Sequence, residues 1–159
     1  MTLRDYQSSL KAKIFAKWDE GTPNVMAVMP TGAGKTVTMA DICAEIDEPS
    51  LAIAHRQELV IQISLAFARQ GIKHRIIAPA AVVKSVIEQH VDEVGCNHVH
   101  PGAKTGVAGI DTLINRTDEF FDTVRFWQTD EAHHVLATNK WGAGIAMLKG
   151  AVRGIGWTA

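Results

Sequence analysis

This sequence has few cysteines, almost no excess of one charge sign and no long apolar run. Its two cysteines, Cys43 and Cys96, are too few for a disulfide framework and suit a reducing compartment. No apolar run approaches the roughly 18 residues that span a bilayer, so we expect no membrane partner. The opening stretch "MTLRDYQSSL" lacks the apolar segment of a secretion signal. From these absences we expect a cytoplasmic protein.

The charge balance leaves the choice of partner open. A net charge of -1 gives no electrostatic footprint for nucleic acid. It does not exclude nucleic acid, because backbone amides and helix N-termini hold phosphates without any net charge. The 159 residues, 47% hydrophobic and 21% charged, are typical of one globular domain with one core of ordinary size.

Short apolar runs alternate with segments of helical periodicity along the chain. The runs predict strands at Val25–Met29, Ser50–His55, His74–Ala78, Lys104–Gly109 and Thr123–Thr129, before a closing apolar run "GIGWTA". A capping box at "TLRD" predicts a first helix with an apolar stripe of Leu3, Leu10, Ile14 and Trp18. Further helices are predicted over Lys35–Ile46, through Leu59, Ile63 and Phe67 to Gly71, and after Pro79. The alternation predicts an α/β fold whose mainly parallel sheet has helices on both faces.

The stretch "MPTGAGKT" follows the first predicted strand and places two glycines before a lysine and a hydroxyl. Gly32 and Gly34 let the backbone fold around an anion with its amides turned inward. Lys35 can reach the β- and γ-phosphates of a nucleotide, and the Thr36 hydroxyl can bind Mg²⁺. The pattern is that of a P-loop, although Met29 stands where the general pattern has glycine. A glycine-rich turn that only caps a helix is the alternative.

Two carboxylates, Asp130 and Glu131, follow the strand predicted at Thr123–Thr129. Asp130 suits Mg²⁺, which takes few protein ligands and keeps several waters. Glu131 can orient or deprotonate a water for attack on the γ-phosphate, which a loop that only held nucleotide would not need. Ligands of open α/β sheets gather at the carboxyl ends of strands, so we expect triphosphate and metal between Lys35 and Asp130, across neighbouring strand tips. An acidic strand exit is the alternative.

Six motifs, in order, resemble those of the superfamily two DEAD/DEAH-box-type helicases and translocases, specifically their first RecA-like domain. They are "LRDYQ" (3–7), "PTGAGKT" (30–36), "AHRQELV" (54–60), "VAGIDTL" (107–113), "DEAH" (130–133) and "GWTA" (156–159). Asp111 stands where glutamine is more usual in this family. The resemblance implies a RecA-like three-layer sandwich, ATP and Mg²⁺ as cofactors, and nucleic acid as a partner.

The resemblance also implies roles at the nucleotide. Gln7 would pair with the adenine edge and Tyr6 would pack near the base, although a half-buried core aromatic is the alternative for Tyr6. Glu131, Lys35 and His133 would be catalytic, with His133 coupled to the sixth motif through Thr158. The loop residues would hold the phosphates, and two side chains would bind Mg²⁺: Thr31, Gly32, Ala33, Gly34, Lys35 and Thr36 for the phosphates, Thr36 and Asp130 for the metal.

On the nucleic-acid side, the resemblance implies that His55, Arg56 and Thr112 face the backbone of the strand. A guanidinium suits phosphate, which favours Arg56 on chemistry. An exposed arginine that caps its helix is the alternative. "DEAHH" followed by a tryptophan-containing loop resembles the DNA-acting branches of the family, so DNA is favoured over RNA and the cytoplasm of a bacterium or phage-infected host is expected.

The resemblance covers residues 1–159 as one helicase ATP-binding domain that ends inside the sixth motif, without a second RecA-like domain. In the family, that second domain supplies arginine fingers, which are worth roughly 10³–10⁵ in rate in related phosphoryl-transfer systems. We therefore expect this chain alone to be a monomer that binds nucleotide weakly and hydrolyses it slowly. An ATP-binding regulatory module and a small-molecule P-loop kinase are the competing hypotheses.

Two further groups of residues have alternative interpretations. Cys96, His98, His100 and His90 could bind a metal, but structural zinc usually has four ligands at tighter, paired spacings, so a polar loop is favoured. Trp127 and Trp157 lie in apolar runs and are predicted to be core. Trp141 lies in the polar stretch "TNKWGAG" and is predicted to be the more exposed of the three.

Overall fold

The computed structural model describes residues 2–116, 118–135 and 139–159. The helices are α1 (Asp5–Asp19), α2 (Lys35–Ile46), α3 (Gln57–Arg69), α4 (Ala80–Val94), α5 (Ile110–Leu113), α6 (Phe120–Thr123) and α7 (Lys140–Ala146). The strands are β1 (Asn24–Val28), β2 (Ser50–Ala54), β3 (Arg75–Ile77), β4 (Thr105–Gly109), β5 (Phe126–Thr129) and β6 (Arg153–Thr158). No helix in the described part of the chain has the length and apolar character needed to cross a bilayer.

The six strands form one sheet in the order β1-β6-β5-β2-β4-β3, and every neighbouring pair is parallel. The predicted parallel sheet is therefore confirmed. One expectation about its order is wrong: β1 and β5, which precede the glycine-rich loop and the acidic pair, are not neighbours. The closing strand β6 lies between them, pairing Gly154 with Asn24 on one side and with Trp127 on the other.

Alternate residues of β2 show that both faces of the sheet are covered. All five of its residues are buried. Ala52 and Ala54 belong to a core that includes side chains of α1, α2, α3 and α4. Leu51 and Ile53 belong to a second core built with α5, α6 and α7. Because successive side chains of a strand point to opposite faces, helices cover the sheet on both sides, and the three-layer sandwich is confirmed.

Several local predictions need correction. The first helix begins at Asp5, so Leu3 precedes it, and the capping contact is made by Gln7 Oε1, which accepts the N–H of Arg4 at 2.8 Å. The strand predicted from Thr123 starts only at Phe126, because Thr123 ends the short helix α6. Trp141 is not exposed: it is 3% accessible and lies in the second core. Its polar neighbours in sequence had indicated the opposite.

Two glycines of β6 allow the segment after β5 to lie close against the sheet. A Cβ on Gly154 would lie 2.0 Å from Cε2 of Trp127, and a Cβ on Gly156 would lie 2.7 Å from the Cβ of Ala132. Any side chain at these positions would therefore push β5 or the residues that follow it off the sheet. The "GIG" stretch of the closing run thus helps to position the acidic pair.

A chain of hydrogen bonds joins α3, α4 and the start of β3 inside the first core. His74 Nδ1 lies 2.8 Å from the Ile72 carbonyl and so carries the proton, which leaves Nε2 to accept from the Ser64 hydroxyl at 2.6 Å. His90 Nδ1 accepts the N–H of His98 at 3.1 Å, so His90 Nε2 donates to Ser64 Oγ at 2.9 Å. Ser64, His74 and His90 are at most 1% exposed. The chain is complete only when both imidazoles are neutral.

Candidate nucleotide-binding site

The glycine-rich loop connects the end of β1 with the start of α2. Gly32 and Gly34 have φ angles of +81° and +85°, which residues with a Cβ rarely adopt, and Gly34 is the N-cap of α2. The positive φ values allow a tight turn that leads directly into Lys35, the first residue of the helix. Met29 replaces the usual glycine at the end of the strand because its side chain is part of the core, with 1% exposure. The local geometry therefore matches the P-loop prediction.

Lys35 and Asp130 meet although they are separated by β6. Lys35 Nζ lies 3.1 Å from Asp130 Oδ1, and the two side chains are 17% and 7% exposed. Asp130 Oδ1 also accepts the N–H of Glu131 at 2.8 Å. These contacts hold the carboxylate in one orientation at the carboxyl ends of the strands. The predicted juxtaposition of the loop lysine and the first acidic residue is present, across an intervening strand.

Glu131 has a backbone conformation that is unusual for its residue type. Its φ and ψ are 52° and 47°, in the left-handed region, which costs a residue with a Cβ of order 1–3 kcal/mol. The left-handed residue ends the extended strand and starts a 3-10 turn at Ala132–His134. The same turn leaves Glu131 in the lining of the cavity next to Asp130. Strain of this kind is often found at functional sites.

The end of β6 connects the acidic turn with the glycine-rich loop. His133 Nδ1 lies 3.1 Å from Thr158 Oγ1, and the Thr158 carbonyl accepts the N–H of Met29 at 2.8 Å. One residue of β6 therefore contacts both nucleotide-site segments. This is the His133–Thr158 contact that the family resemblance implies.

Two side chains of α1 form hydrogen bonds to the backbone of the glycine-rich loop. The Ala33 carbonyl accepts from Tyr6 Oη at 2.5 Å and from Gln7 Nε2 at 2.9 Å. Because Gln7 Oε1 accepts the N–H of Arg4, both ends of the Gln7 amide are in use, and the side chain is 4% exposed. Tyr6 is 45% exposed and belongs to neither of the two hydrophobic cores. In this conformation Tyr6 and Gln7 hold the loop itself.

The loop, the acidic pair and the start of α3 enclose one cavity of about 450 Å³, a volume within the range of small-molecule sites. Its polar lining combines a lysine, two threonines, two carboxylates, a histidine and a glutamine. The residues that line it are Pro30, Thr31, Gly32, Gly34, Lys35, Thr36, Leu59, Gln62, Asp130, Glu131, His133 and Ala159. The glycine turn, the ammonium and the acidic oxygens fit a magnesium–nucleotide: the turn and Lys35 would hold its phosphates, and Asp130 and Thr36 would hold the metal.

Four residues that line the cavity were not predicted as site residues: Pro30, Leu59, Gln62 and Ala159. Leu59 and Gln62 lie three residues apart on α3, one helical turn, and so reach the cavity from the same face of the helix. The only available signal was that α3 starts at the carboxyl end of β2, the end of the sheet at which ligands bind. Their side chains could not be assigned to the site without knowing that α3 packs beside α2.

The predicted nucleic-acid residues lie outside this cavity. His55 and Arg56 are exposed immediately after β2, and Thr112 lies in α5. Arg56 is the N-cap residue of α3, but its side chain makes no capping bond. The His55 ring lies 5.9 Å from the ring of Trp141. His55 lines a surface groove that shares His133 with the cavity, and the predicted role of all three residues stays a prediction.

The histidine-rich loop is arranged around the buried hydrogen-bond chain. Cys96 Sγ lies 3.9 Å from His98 Nδ1, while His90 points to Ser64 and the backbone of His98. Within residues 2–116, 118–135 and 139–159, no group of three or more His, Cys, Asp or Glu side chains is arranged to hold a metal ion. The sequence alternative of a Cys/His metal site therefore finds no support in the described part of the chain.

Two polar residues of β5 are fully buried, and the glutamine among them is hydrogen-bonded at both ends of its amide. Gln128 and Thr129 are 2% and 0% exposed, in a strand with covered neighbours on both sides. Gln128 Nε2 donates to the Met39 carbonyl at 3.0 Å, and Gln128 Oε1 accepts from Trp157 Nε1 at 2.9 Å. The amide thus joins α2 to β6 on the face of the sheet that α2 covers. A polar residue is tolerated at this depth because its partners are present.

Comparison with known proteins places this chain in a family. A family model described as "Type III restriction enzyme, res subunit" matches residues 1–159. UvrABC system protein B of Chlamydia muridarum (strain MoPn / Nigg) is 38% identical over 48 residues, which are 30% of this chain and 7% of that protein. This short match shows local sequence similarity, and the family rests on the full-length match.

Solved structures agree with the fold. The UvsW helicase from bacteriophage T4 is similar with a TM-score of 0.69 and 17% identity, covering 99% of this chain and 52% of that one. The Sulfolobus solfataricus SWI2/SNF2 ATPase core in complex with dsDNA has a TM-score of 0.69 and 16% identity, covering 99% and 32%. The chain thus spans about half, or less, of the length of these proteins. It belongs to the type III restriction enzyme res subunit family, and its fold is the RecA-like fold of these helicase and ATPase structures.

Proposed function

We propose that this chain is the ATP-binding and ATP-hydrolysing motor domain of a helicase or translocase that acts on DNA in preference to RNA. The single observation that carries the proposal is the 3.1 Å contact of Lys35 Nζ with Asp130 Oδ1, at a cavity also lined by Thr36 and Glu131. A lysine and a hydroxyl beside two carboxylates are the groups that phosphoryl transfer from a magnesium–nucleotide requires. The regulatory-module alternative is not favoured, because the acidic turn is intact and the family match covers the whole chain.

The loop residues hold the nucleotide. ATP with Mg²⁺ supplies the phosphoanhydride bond and the metal charge that neutralises its phosphates. Lys35 would neutralise the outer phosphates, and Thr36 and Asp130 would hold the metal, so phosphates and metal would compete with the Lys35–Asp130 contact. The backbone amides at Gly32 and Gly34 add donors from a turn that a Cβ would strain. Thr31 and Ala33 complete the turn.

Hydrolysis depends on Glu131, which orients a water molecule and takes its proton. Its left-handed backbone holds the carboxylate in the lining of the cavity, one residue beyond the metal ligand. A shift of the acidic turn moves Thr158 through its contact with His133. The Thr158 carbonyl, which accepts the N–H of Met29, carries that shift to the start of the loop. Tyr6 and Gln7 hold the loop through the Ala33 carbonyl. With nucleotide bound, Tyr6 packs near the base, and Gln7 pairs with the adenine edge after its amide leaves Arg4 and Ala33.

The whole protein works through further parts. We propose that residues 1–159 form the first of two RecA-like domains, that the second supplies arginine fingers, and that His55, Arg56 and Thr112 contact the DNA backbone. The lengths of UvsW and the SWI2/SNF2 core, and the dsDNA bound to the latter, support this proposal. The two free cysteines, Cys43 and Cys96, are compatible with the cytoplasm of a bacterium or a phage-infected host. Alone, the chain is a monomer with slow turnover.

Titration with a fluorescent ATP analogue tests the site. Lys35→Ala should abolish binding, whereas Glu131→Gln should retain wild-type affinity and remove hydrolysis in a protein extended through the second domain. Equal loss of affinity in both variants would show that Glu131 is structural. In the extended protein, DNA should raise ATP turnover. If neither DNA nor RNA raises it, the motor proposal is wrong even where nucleotide binding persists.

A further inference from the structure

A second cavity, of about 390 Å³, lies beside the nucleotide cavity and shares His133 with it. We define this groove by His55, His133, His134, Asn139, Lys140 and Trp141. Its three histidines are exposed, whereas Trp141 is buried and lies beneath them. The ring of Trp141 is 6.5 Å from that of His134 with an interplanar angle of 20°, and 5.9 Å from that of His55. The groove therefore combines rigid aromatic surface with ring N–H donors.

The cation of the groove is already paired. Lys140 Nζ lies 2.8 Å from Asp111 Oδ1, with side chains 35% and 66% exposed. Asp111 stands on α5 next to Thr112, and it occupies the position where the family more usually has glutamine. An exposed ion pair is worth little, because water screens it and two long side chains must be held in place. A ligand that carries its own negative charge can therefore displace the Asp111 carboxylate from Lys140.

We propose that this groove binds a phosphodiester group of a nucleic-acid strand through Lys140, and that Asp111 competes with that phosphate. The proposal rests on the proposed function and adds a contact to it. The surrounding imidazoles supply additional donors to phosphate oxygens, and His133 brings the bound strand next to the nucleotide cavity. Because the phosphate must replace Asp111 as the partner of Lys140, the affinity of the contact depends on how readily that carboxylate is displaced.

The groove lies between segments already expected to contact nucleic acid. His55 precedes Arg56 at the end of β2, and Asp111 precedes Thr112 on α5. Lys140 adds a donor from α7, a third element, so that the three segments surround one surface. A free phosphate ion would use the same charge as a phosphodiester, but only a strand would contact His55 and Lys140 together with Arg56 and Thr112.

Fluorescence anisotropy with a labelled single-stranded oligonucleotide, measured over a range of salt concentrations, tests the proposal on this chain. Lys140→Gln should weaken binding and make the log–log salt dependence shallower by about 0.7, the value for one phosphate contact on a single strand. Asp111→Asn should strengthen binding by up to about fivefold, the factor that corresponds to an exposed ion pair. The gain should disappear when both substitutions are combined, because the released lysine is then missing.

Matched variants separate this contact from a change in overall charge. Lys149→Gln removes one exposed positive charge outside the groove, and Asp92→Asn removes one exposed negative charge on α4. Both should leave the affinity within a factor of two. A gain from Asp111→Asn that persists without Lys140 would overturn the proposal, as would no detectable binding by the wild-type chain at low salt.

Two further measurements distinguish the possible failures. Inorganic phosphate, added at the same phosphate concentration as the oligonucleotide, should not displace the label, and displacement would show a simple anion site. Binding of the fluorescent ATP analogue should be unchanged in Lys140→Gln. If ATP binds normally and no variant alters DNA binding, the groove proposal fails while the motor proposal stands. If ATP fails to bind, the proposed function itself fails.

Discussion

Acidification should destabilise this protein through the buried chain of His74, Ser64 and His90. Burial lowers the pKa of His74 to about 4 from an ordinary value of 6.5, and burial also lowers the pKa of His90. Protonated His74 would lose its acceptor at Nε2, so the Ser64 hydroxyl would face an N–H donor instead. The neutral ring is therefore the form that the folded state selects.

The sign and size of the effect follow from linkage. Between pH 6.5 and pH 4, the unfolded chain binds a proton at His74 that the folded chain does not. The stability contributed by the neutral ring is fully present above pH 6.5 and is lost as the pH falls towards 4. A difference of about 2.5 pKa units corresponds to about 3 kcal/mol, lost at about 1.4 kcal/mol per pH unit inside this window.

Urea unfolding followed by tryptophan fluorescence at several pH values between 7.5 and 5 measures this loss. We compare the slope of the unfolding free energy against pH rather than its absolute value, because His74→Gln also removes packing. The substitution should flatten the wild-type slope by about 1 kcal/mol per pH unit below pH 6. His100→Gln, in an exposed loop residue, is the matched control and should keep the slope. Equal slopes in wild type and His74→Gln would refute the reasoning.

Three other predictions concern the nucleotide site and its support. Gly34→Ala should cost more thermal stability than Gly32→Ala, because both have positive φ but only the Gly34 Cβ would approach Gln7 Nε2, at 2.3 Å; equal melting temperatures would contradict this. Gln128→Leu should lower the free energy of unfolding by about 1–3 kcal/mol, since it leaves the buried Trp157 indole N–H without its partner, and urea titration would detect it. Thr158→Val should leave the ATP analogue's affinity unchanged and reduce DNA-stimulated hydrolysis in the extended protein; unchanged stimulation would show that the His133 contact is structural.

The strands and long helices could be predicted because their patterns are local. β2 is a run of small and branched apolar residues buried on both faces, and α2 follows a glycine turn that requires positive φ. The short helices α5, α6 and α7 were not predicted, because segments of four to seven residues are too short to show a helical period. Sheet order was not predictable either, since it depends on which strands the crossovers bring together.

The site residues show the same limit. Lys35 and Asp130 could be paired from sequence, because each follows a strand and parallel strands end at the same edge of the sheet. The burial of Trp141 could not, because it depends on the packing of α7 against α5. The hydrogen bonds of Gln7 could not be predicted from sequence either. A glutamine suits an adenine edge, but in this conformation its amide is bonded to Arg4 and Ala33.

The position of β6 has a consequence for how the protein is made. Among the described strands, β6 is the only neighbour of β1, and it comes last in this sequence. A ribosome releases β1 early, but that strand has no place in the sheet until Arg153–Thr158 has emerged. The glycine-rich loop and the acidic turn therefore cannot reach their final relative positions before β6 has been made. Competence to bind nucleotide should therefore arise abruptly, once β6 has been made and inserts between β1 and β5.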